Sequence, residues 1–201
     1  MVDLYAEEKV FYAQGYSTLA GVDEVGRGCI AGPVFAAAVL LPPDLRIPDL
    51  NDSKKLKASL REKLSEIILR EAISHHIAMV SVEDVDSLNI LWASMKAMRI
   101  AVEGLKQVPA LLLVDGNRET DLPLPQKALV AGDGRCASIA AASVIAKVAR
   151  DRWMSEQEAH FPGFSFAKHK GYGTAQHLKE LREHGPTPLH RRTFAPVQEL
   201  L

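Results

Sequence analysis

This chain has little cysteine, no long apolar run and no surplus of charge. Cys29 and Cys136 are its two cysteines, far apart and without a second pair, which excludes a disulfide framework and a zinc cage. No stretch approaches the ~18 consecutive apolar residues of a membrane span. The opening residues, MVDLYAEEKV, carry acids where a secretory signal has a basic and then an apolar segment. A cytoplasmic protein with no membrane association is therefore expected. The formal net charge of -1 says nothing for or against a polyanionic partner. Internal repeats, low-complexity tracts and linkers are missing as well.

What is present is a globular composition. With 201 residues, 47% hydrophobic and 24% charged, the chain can bury a substantial core in one domain. Its charge is unevenly placed. From Arg135 to Thr193 ten Lys and Arg face five Asp and Glu, while residues 1–134 hold fourteen against nineteen. An acidic first part beside a basic C-terminal third suits an enzyme that handles phosphate groups.

The apolar patterning predicts alternating strands and helices. A short helix is expected over 3–14, then a strand over 18–25 and a second over 33–41 (PVFAAAVLL), apolar on both faces. Ser59 and Glu62 have the spacing of a capping box for a helix that buries Leu60, Leu64, Ile67 and Ile68. A strand over 77–82 follows, then a helix capped by Ser87 or Asn89 with Leu91, Met95, Met98, Val102 and Leu105 along one stripe and Pro109 at its end. Strands over 110–114 and 127–131 come next. A central helix over 137–153 places Ser143, Lys147 and Arg150 along one side, and a last helix is expected over 175–183. His75, His76 and His160 read as structural or surface residues, and His169 as a neighbour of the site.

Four acids stand at or just past strand ends: Asp23, Glu24, Asp115 and Asp133. In α/β sheets, sites collect outside strand ends, where side chains converge without disturbing the core. Oxygen-only donors favour Mg²⁺ or Mn²⁺ over zinc, and two such ions about 4 Å apart can activate water and stabilise a leaving oxygen in phosphodiester cleavage. Neighbouring strand residues point to opposite faces. Glu24 can therefore join Asp23 only if the strand breaks there, as Gly26 would permit, or if its backbone carbonyl takes part. Gly26, Arg27 and Gly28 follow at once, two glycines around one cation, leaving bare N–H groups to which another backbone can come close.

These segments resemble the successive motifs of bacterial type 2 ribonuclease H, the ribonuclease HII family: DEVGRG at 23–28, DSKKL at 52–56, VDGN at 114–117, AGD at 131–133, AASVIAKVARD at 141–151 and HKGYGT at 169–174. The likeness runs from about Leu19 to about Val197. It implies a ribonuclease H-like α/β fold, a mixed five-stranded sheet flanked by helices, with a core over 18–155 and a helical C-terminal segment over 156–201 forming the other wall of a cleft. It implies two Mg²⁺ or Mn²⁺ ions held by Asp23, Glu24, Asp115 and Asp133, and hydrolysis of the RNA strand of RNA–DNA hybrids. Single ribonucleotides embedded in duplex DNA are included, and the cut leaves 5′-phosphate and 3′-hydroxyl ends.

Asp151 competes for the fourth acid position. Its place in the central helix between Arg150 and Arg152 suits a buried structural ion pair, so Asp133 is preferred. By the same resemblance the backbone of Gly26-Arg27-Gly28 reads the 2′-hydroxyl, and Tyr172 stacks on the next sugar, where a hydroxyl would be crowded out. Lys54, Ser143, Lys147 and Arg150 are expected phosphate contacts. The chain departs from the pattern at Gly134, where the family usually has a small or serine residue, and at Gly173, where it usually has Pro; neither is a proposed ligand. A junction resolvase or integrase-like nuclease would share the acids but lack the Gly-Arg-Gly and Tyr172 elements. A non-catalytic hybrid-binding module would not preserve four acids. Nothing in the sequence demands more than a monomer.

Overall fold

The computed structural model describes residues 3–201. After helix α1 (Ala6–Ala13), strands β1 (Leu19–Val25) and β2 (Val34–Leu40) form a hairpin-like pair, followed by α2 (Ala58–Glu71) and β3 (Ser74–Val80). Helices α3 (Val82–Leu88) and α4 (Ile90–Glu103) precede β4 (Leu111–Asp115) and β5 (Gln126–Leu129). The long helix α5 (Ala137–Gln157) then leads into α6 (Phe166–His169), α7 (Ala175–His184) and α8 (Ala195–Gln198). The five strands form one mixed sheet in the order β3-β2-β1-β4-β5. β1 runs parallel to β4, β4 parallel to β5, and the other pairs are antiparallel.

The alternation of strand side chains divides the core between two layers. Ala20, Val22, Val34, Ala36 and Ala38 pack with Ala97, Met98, Ala101 and Val102 of α4 on one face. Ala37 and Val39 pack with Leu64 and Ile68 of α2 and Ala141, Val144 and Ile145 of α5 on the other. The C-terminal helices gather a separate cluster of Phe164, Phe166, Leu181 and Val197 around Ile30, Ala31 and Met154. That cluster joins the basic C-terminal part to the loop that follows β1.

Several predicted boundaries move for local reasons. Ser59 lies inside α2: Lys57 takes the N-cap position and no side chain caps the helix, so the predicted capping box is not formed. The strand expected over 77–82 is Ser74–Val80, because Ser81 leaves it to cap α3, its side chain accepting from Asp84 N. Helix α3 was hidden inside one expected loop. Asn89, at φ 67°, then caps α4, its side chain accepting from Leu91 N and Trp92 N. β5 ends at Leu129, and Ala131 turns into the left-handed region at φ 54°. Asp133 therefore sits in a 3₁₀ turn, Gly132–Gly134, and not directly on a strand end.

Helix α5 reaches β1 closely because position 21 is glycine. A Cβ there would stand 2.2 Å from both Ser138 C and Ile139 N, main-chain atoms that cannot step aside. Gly21→Ala is expected to cost about 3 kcal/mol, at the upper end of overpacking penalties. A chemical-denaturation midpoint within error of the parent's would show that α5 can shift freely off the sheet.

Candidate active site

The parallel register that pairs Val22 with Val114 brings the next residues, Asp23 and Asp115, to neighbouring strand ends. Asp23 is buried on the α5 side. Its Oδ1 accepts from Glu24 N at 2.7 Å, and the Ser143 hydroxyl, 2.9 Å from Ser53 Oγ, favours its charged form. Burial, then the charges of Glu24, Asp115 and Asp133, push the Asp23 carboxyl well above the usual carboxylate range. Asp115 is raised by burial and then by Asp133 and Glu24, although its Oδ1 accepts from Gly132 N at 2.7 Å and Asp133 N at 3.3 Å.

β1 does not break at Glu24. The ladder continues through Asp23↔Ala37, Glu24↔Ala36 and Val25↔Phe35, so the break that the sequence allowed is not made. Asp23 faces α5 and Glu24 faces α4. The Glu24 side chain nevertheless lines one small cleft with Asp115, Arg27, Asn117 and Arg118, and its Oε1 lies 3.1 Å from Arg27 Nη1. The two neighbours thus approach the sheet end from opposite faces. Asp133 is buried in its turn, with Oδ2 3.4 Å from Lys54 Nζ. Burial works against the Lys54 charge, yet Asp133 and Asp23 hold its ammonium above the ordinary lysine value.

This donor set fits a hard divalent cation in kind: four carboxylates with no sulfur or imidazole, and two cations, Lys54 at Asp133 and Arg27 at Glu24. Among the described residues no group of three or more His, Cys, Asp or Glu is arranged to hold an ion. Each acid is engaged elsewhere: Asp23 with the Glu24 amide, Glu24 with Arg27, Asp115 with two amides, Asp133 with Lys54. To share an ion they would have to swing together from these partners.

The loop after β1 forms the adjoining wall. Gly26 lies at φ 97°, and a Cβ there would meet Arg150 Nε at 2.3 Å, so both the backbone angle and the guanidinium demand glycine. Arg27 and Gly28 are exposed. Among the described residues their main-chain N–H groups have no partner. Gly171 accepts from Ile30 N at 2.9 Å and from Ala31 N at 3.3 Å, which ties the turn bearing Tyr172 to this loop. The Tyr172 ring is 37% exposed, with Lys147 Nζ 5.2 Å from its centroid.

Other expected contacts are placed differently. Arg150 does not face the cleft: it is fully buried, with Nε, Nη1 and Nη2 each donating to a carbonyl, those of Pro33, Lys170 and Ala31. Ser143 is buried, its hydroxyl 2.9 Å from Ser53 Oγ, and it favours the Asp23 charge. Lys147 Nζ lies 2.8 Å from Asp151 Oδ1. Asp151 is an ion-pair residue, as expected, but its partners are Lys147 and Arg61, at 3.9 Å, and not the adjacent arginines. His169 lies under the Tyr172 turn: Nε2 is 3.0 Å from Glu180 Oε2 and Nδ1 accepts from Gly171 N at 3.2 Å. Arg191, which holds the Gly-Arg-Gly loop from below, escaped the sequence reading. Its only signal was the basic run at 190–192.

An acid-lined end of a mixed sheet beside a loop of free amides is an arrangement suited to a hydrolase of phosphodiesters, and comparison with known proteins places the chain in such a class. The family model for ribonuclease HII matches residues 20–197. A ribonuclease HII from Syntrophotalea carbinolica is 54% identical over 198 residues, 98% of this chain and 94% of that protein. The ribonuclease H2 structure from Pyrococcus horikoshii superposes with a TM-score of 0.75 at 23% identity, covering 91% of this chain and 96% of that one. Bst-RNase HIII in complex with Mn²⁺ gives 0.65 at 16%, covering 94% and 70%; these two establish the fold. The chain belongs to the ribonuclease HII family, and its activity is that of a ribonuclease H, an endoribonuclease acting on RNA–DNA hybrids.

Proposed function

We propose that this enzyme cuts duplexes at ribonucleotides, including a single ribonucleotide embedded in DNA, and leaves 5′-phosphate and 3′-hydroxyl ends. The observation that carries this reading is the placement of the free Arg27 and Gly28 amides beside the acid cluster and tied, through Gly171, to Tyr172. Those amides can satisfy a 2′-hydroxyl that DNA lacks. Tyr172 offers its exposed face to the following sugar, where a deoxyribose fits and a hydroxyl intrudes. Lys54 and Lys147 are the cations left near the cleft to meet phosphate oxygens, a role Arg150 does not share.

Asp23, Glu24, Asp115 and Asp133 would hold the divalent ions. Two Mg²⁺ or Mn²⁺ ions would supply an activated water and charge stabilisation at the leaving oxygen, and the Mn²⁺ of the structurally related Bst-RNase HIII supports that choice. In this chain the Glu24 amide orients the Asp23 carboxylate, and the Gly132 and Asp133 amides orient that of Asp115. Residues 1–201 act as one unit, with 156–201 forming the second wall of the cleft. We take the enzyme to work as a monomer in the cytoplasm, where its two free, buried thiols would stay reduced; among the described residues no helix is long and apolar enough to cross a membrane.

The test is cleavage of a duplex with one embedded ribonucleotide, with and without Mg²⁺, mapped to the nucleotide. Tyr172→Ala sharpens it. A base or sugar stacked on an aromatic ring is worth about 1–3 kcal/mol, so cleavage of the single-ribonucleotide duplex is expected to fall roughly ten- to hundredfold. Cleavage within a long RNA–DNA hybrid should fall less, with the Mg²⁺ requirement unmoved. Equal losses on both substrates would show that Tyr172 supports the cleft without reading the junction.

A further inference from the structure

Two arginines are fully buried, Arg150 and Arg191, and neither forms an ion pair among the described residues. A buried guanidinium without a carboxylate is costly unless its donors are met. Here most are met by main-chain carbonyls, all but one of them from the short stretch 27–33. Arg150 takes Pro33, Ala31 and Lys170. Arg191 Nε donates to Gly32 O at 2.9 Å, and its Nη1 to Arg27 O at 3.1 Å and Cys29 O at 2.8 Å. Arg191 Nη2 has no partner, and the guanidinium carbon stands 5.1 Å from the centre of the Phe194 ring. Burial lowers the Arg191 group to about 10, which leaves it charged at neutral pH.

The peptide plane gives these bonds a consequence. In a trans peptide the carbonyl of one residue and the N–H of the next point in opposite directions. Holding the Arg27 carbonyl inward therefore turns the Gly28 N–H outward, toward the cleft, where it has no partner. Holding the Cys29 carbonyl inward likewise directs the Ile30 N–H, which donates to Gly171 O at 2.9 Å, next to Tyr172. One nitrogen of Arg191 thus holds both the peptide that bears the Gly28 amide and the peptide that binds the Tyr172 turn.

We propose that Arg191 is a positioning residue for ribonucleotide recognition, setting the Gly28 amide and the Tyr172 turn in register with one another through the carbonyls of Arg27 and Cys29. The inference rests on the reading of the Gly-Arg-Gly loop given under Proposed function. Lysine cannot span both carbonyls and the Gly32 carbonyl together, so the loop would keep its sequence and lose its alignment.

The experiment is a double-mutant cycle of Arg191→Lys with Gly28→Ala, each assayed well below its own melting midpoint on the single-ribonucleotide duplex. A Cβ at Gly28 meets nothing within 4 Å, so that variant obstructs the amide without disturbing the core. Arg191→Lys is expected to lower kcat/KM about 30-fold, in line with misplacement by under an ångström, and to leave the half-saturating Mg²⁺ concentration unchanged. In the Gly28→Ala background the same change should cost less than about threefold, because the contact it aligns is already spoiled. Full activity of Arg191→Lys, a shifted Mg²⁺ requirement, or losses that simply multiply would overturn the proposal. Parental kinetics in Gly28→Ala alone would overturn the loop reading itself and this inference with it. If Arg191→Lys does not fold, Phe194→Leu takes its place in the cycle. It keeps the arginine but removes the ring beside it, and should cost about fivefold; no loss, or one that multiplies with that of Gly28→Ala, is again decisive against the proposal.

Discussion

Asp23→Asn should abolish hydrolysis while leaving a protein that, free of metal, melts no lower than its parent. The first half follows from position. Asp23 stands buried at the centre of the acid cluster, close enough to Glu24, Asp115 and Asp133 for all three to act on its charge. An amide keeps the volume and an oxygen for the Glu24 N–H but halves the donor capacity for a cation. The expected loss is about three to five orders of magnitude in rate. The second half follows from linkage. The folded-state carboxyl titrates above its ordinary value of 3.8, so folding favours the protonated form. Stability from this group is intact at acid pH and falls as pH rises from 3.8 toward the raised value. At neutral pH the charge therefore burdens the metal-free fold, and Asn removes the burden. Divalent ions should raise the parent's melting temperature by mass action and the variant's much less. Near-normal turnover of the purified variant would refute the four-acid site; a melting temperature several degrees lower without metal would show that Asp23 serves the fold.

Much of this site was legible because it is built on strand ends. The runs that became β1, β2 and β4 are apolar on both faces, as strands covered by helices must be, and Asp23, Glu24 and Asp115 stand at the ends of two of them; Asp133 instead follows the short β5 in a turn. The register between β1 and β4 was not legible, since it is set by the packing of helices on both sides. Glu24 shows the limit of an alternation rule applied to one strand: the rule was right about opposite faces, yet at a sheet end two faces border one cleft. Arg150 shows another. Its spacing with Ser143 and Lys147 is correct for one side of a helix, but α5 is buried nearly all round, and that side passes from the cleft to the underside of the loop after β1. What an arginine there touches depends on carbonyls more than a hundred residues earlier in the chain. Arg191 was invisible for the same reason. Charge in a basic tail is ordinarily read as solvated surface, and only the fold shows it inverted into the core.

Asp133 and Asp151 should part company when each is changed to Asn. Both lie in family-like motifs and both contact a lysine, but their surroundings differ. Asp133 is buried in a tight turn beside Asp115, and its single cation, Lys54, is mostly exposed; an ion pair of that kind adds little to stability. Asp133→Asn should therefore lower turnover by about two to three orders of magnitude or raise the Mg²⁺ requirement sharply, with the metal-free melting temperature unchanged or slightly higher. Asp151 lies between Lys147 and Arg61, both largely buried, at 14% and 15% side-chain exposure. Removing its charge leaves two sheltered cations facing one another, which should cost about 1–2 kcal/mol once partial exposure is allowed for. Activity at a temperature where Asp151→Asn remains folded should fall less than about tenfold, through the loosened Lys147 beside Tyr172. Paired rate and thermal-melt measurements decide the matter. If Asp151→Asn is the inactive, well-folded protein and Asp133→Asn the active, unstable one, then the fourth carboxylate of the site is carried by α5 and not by the turn after β5.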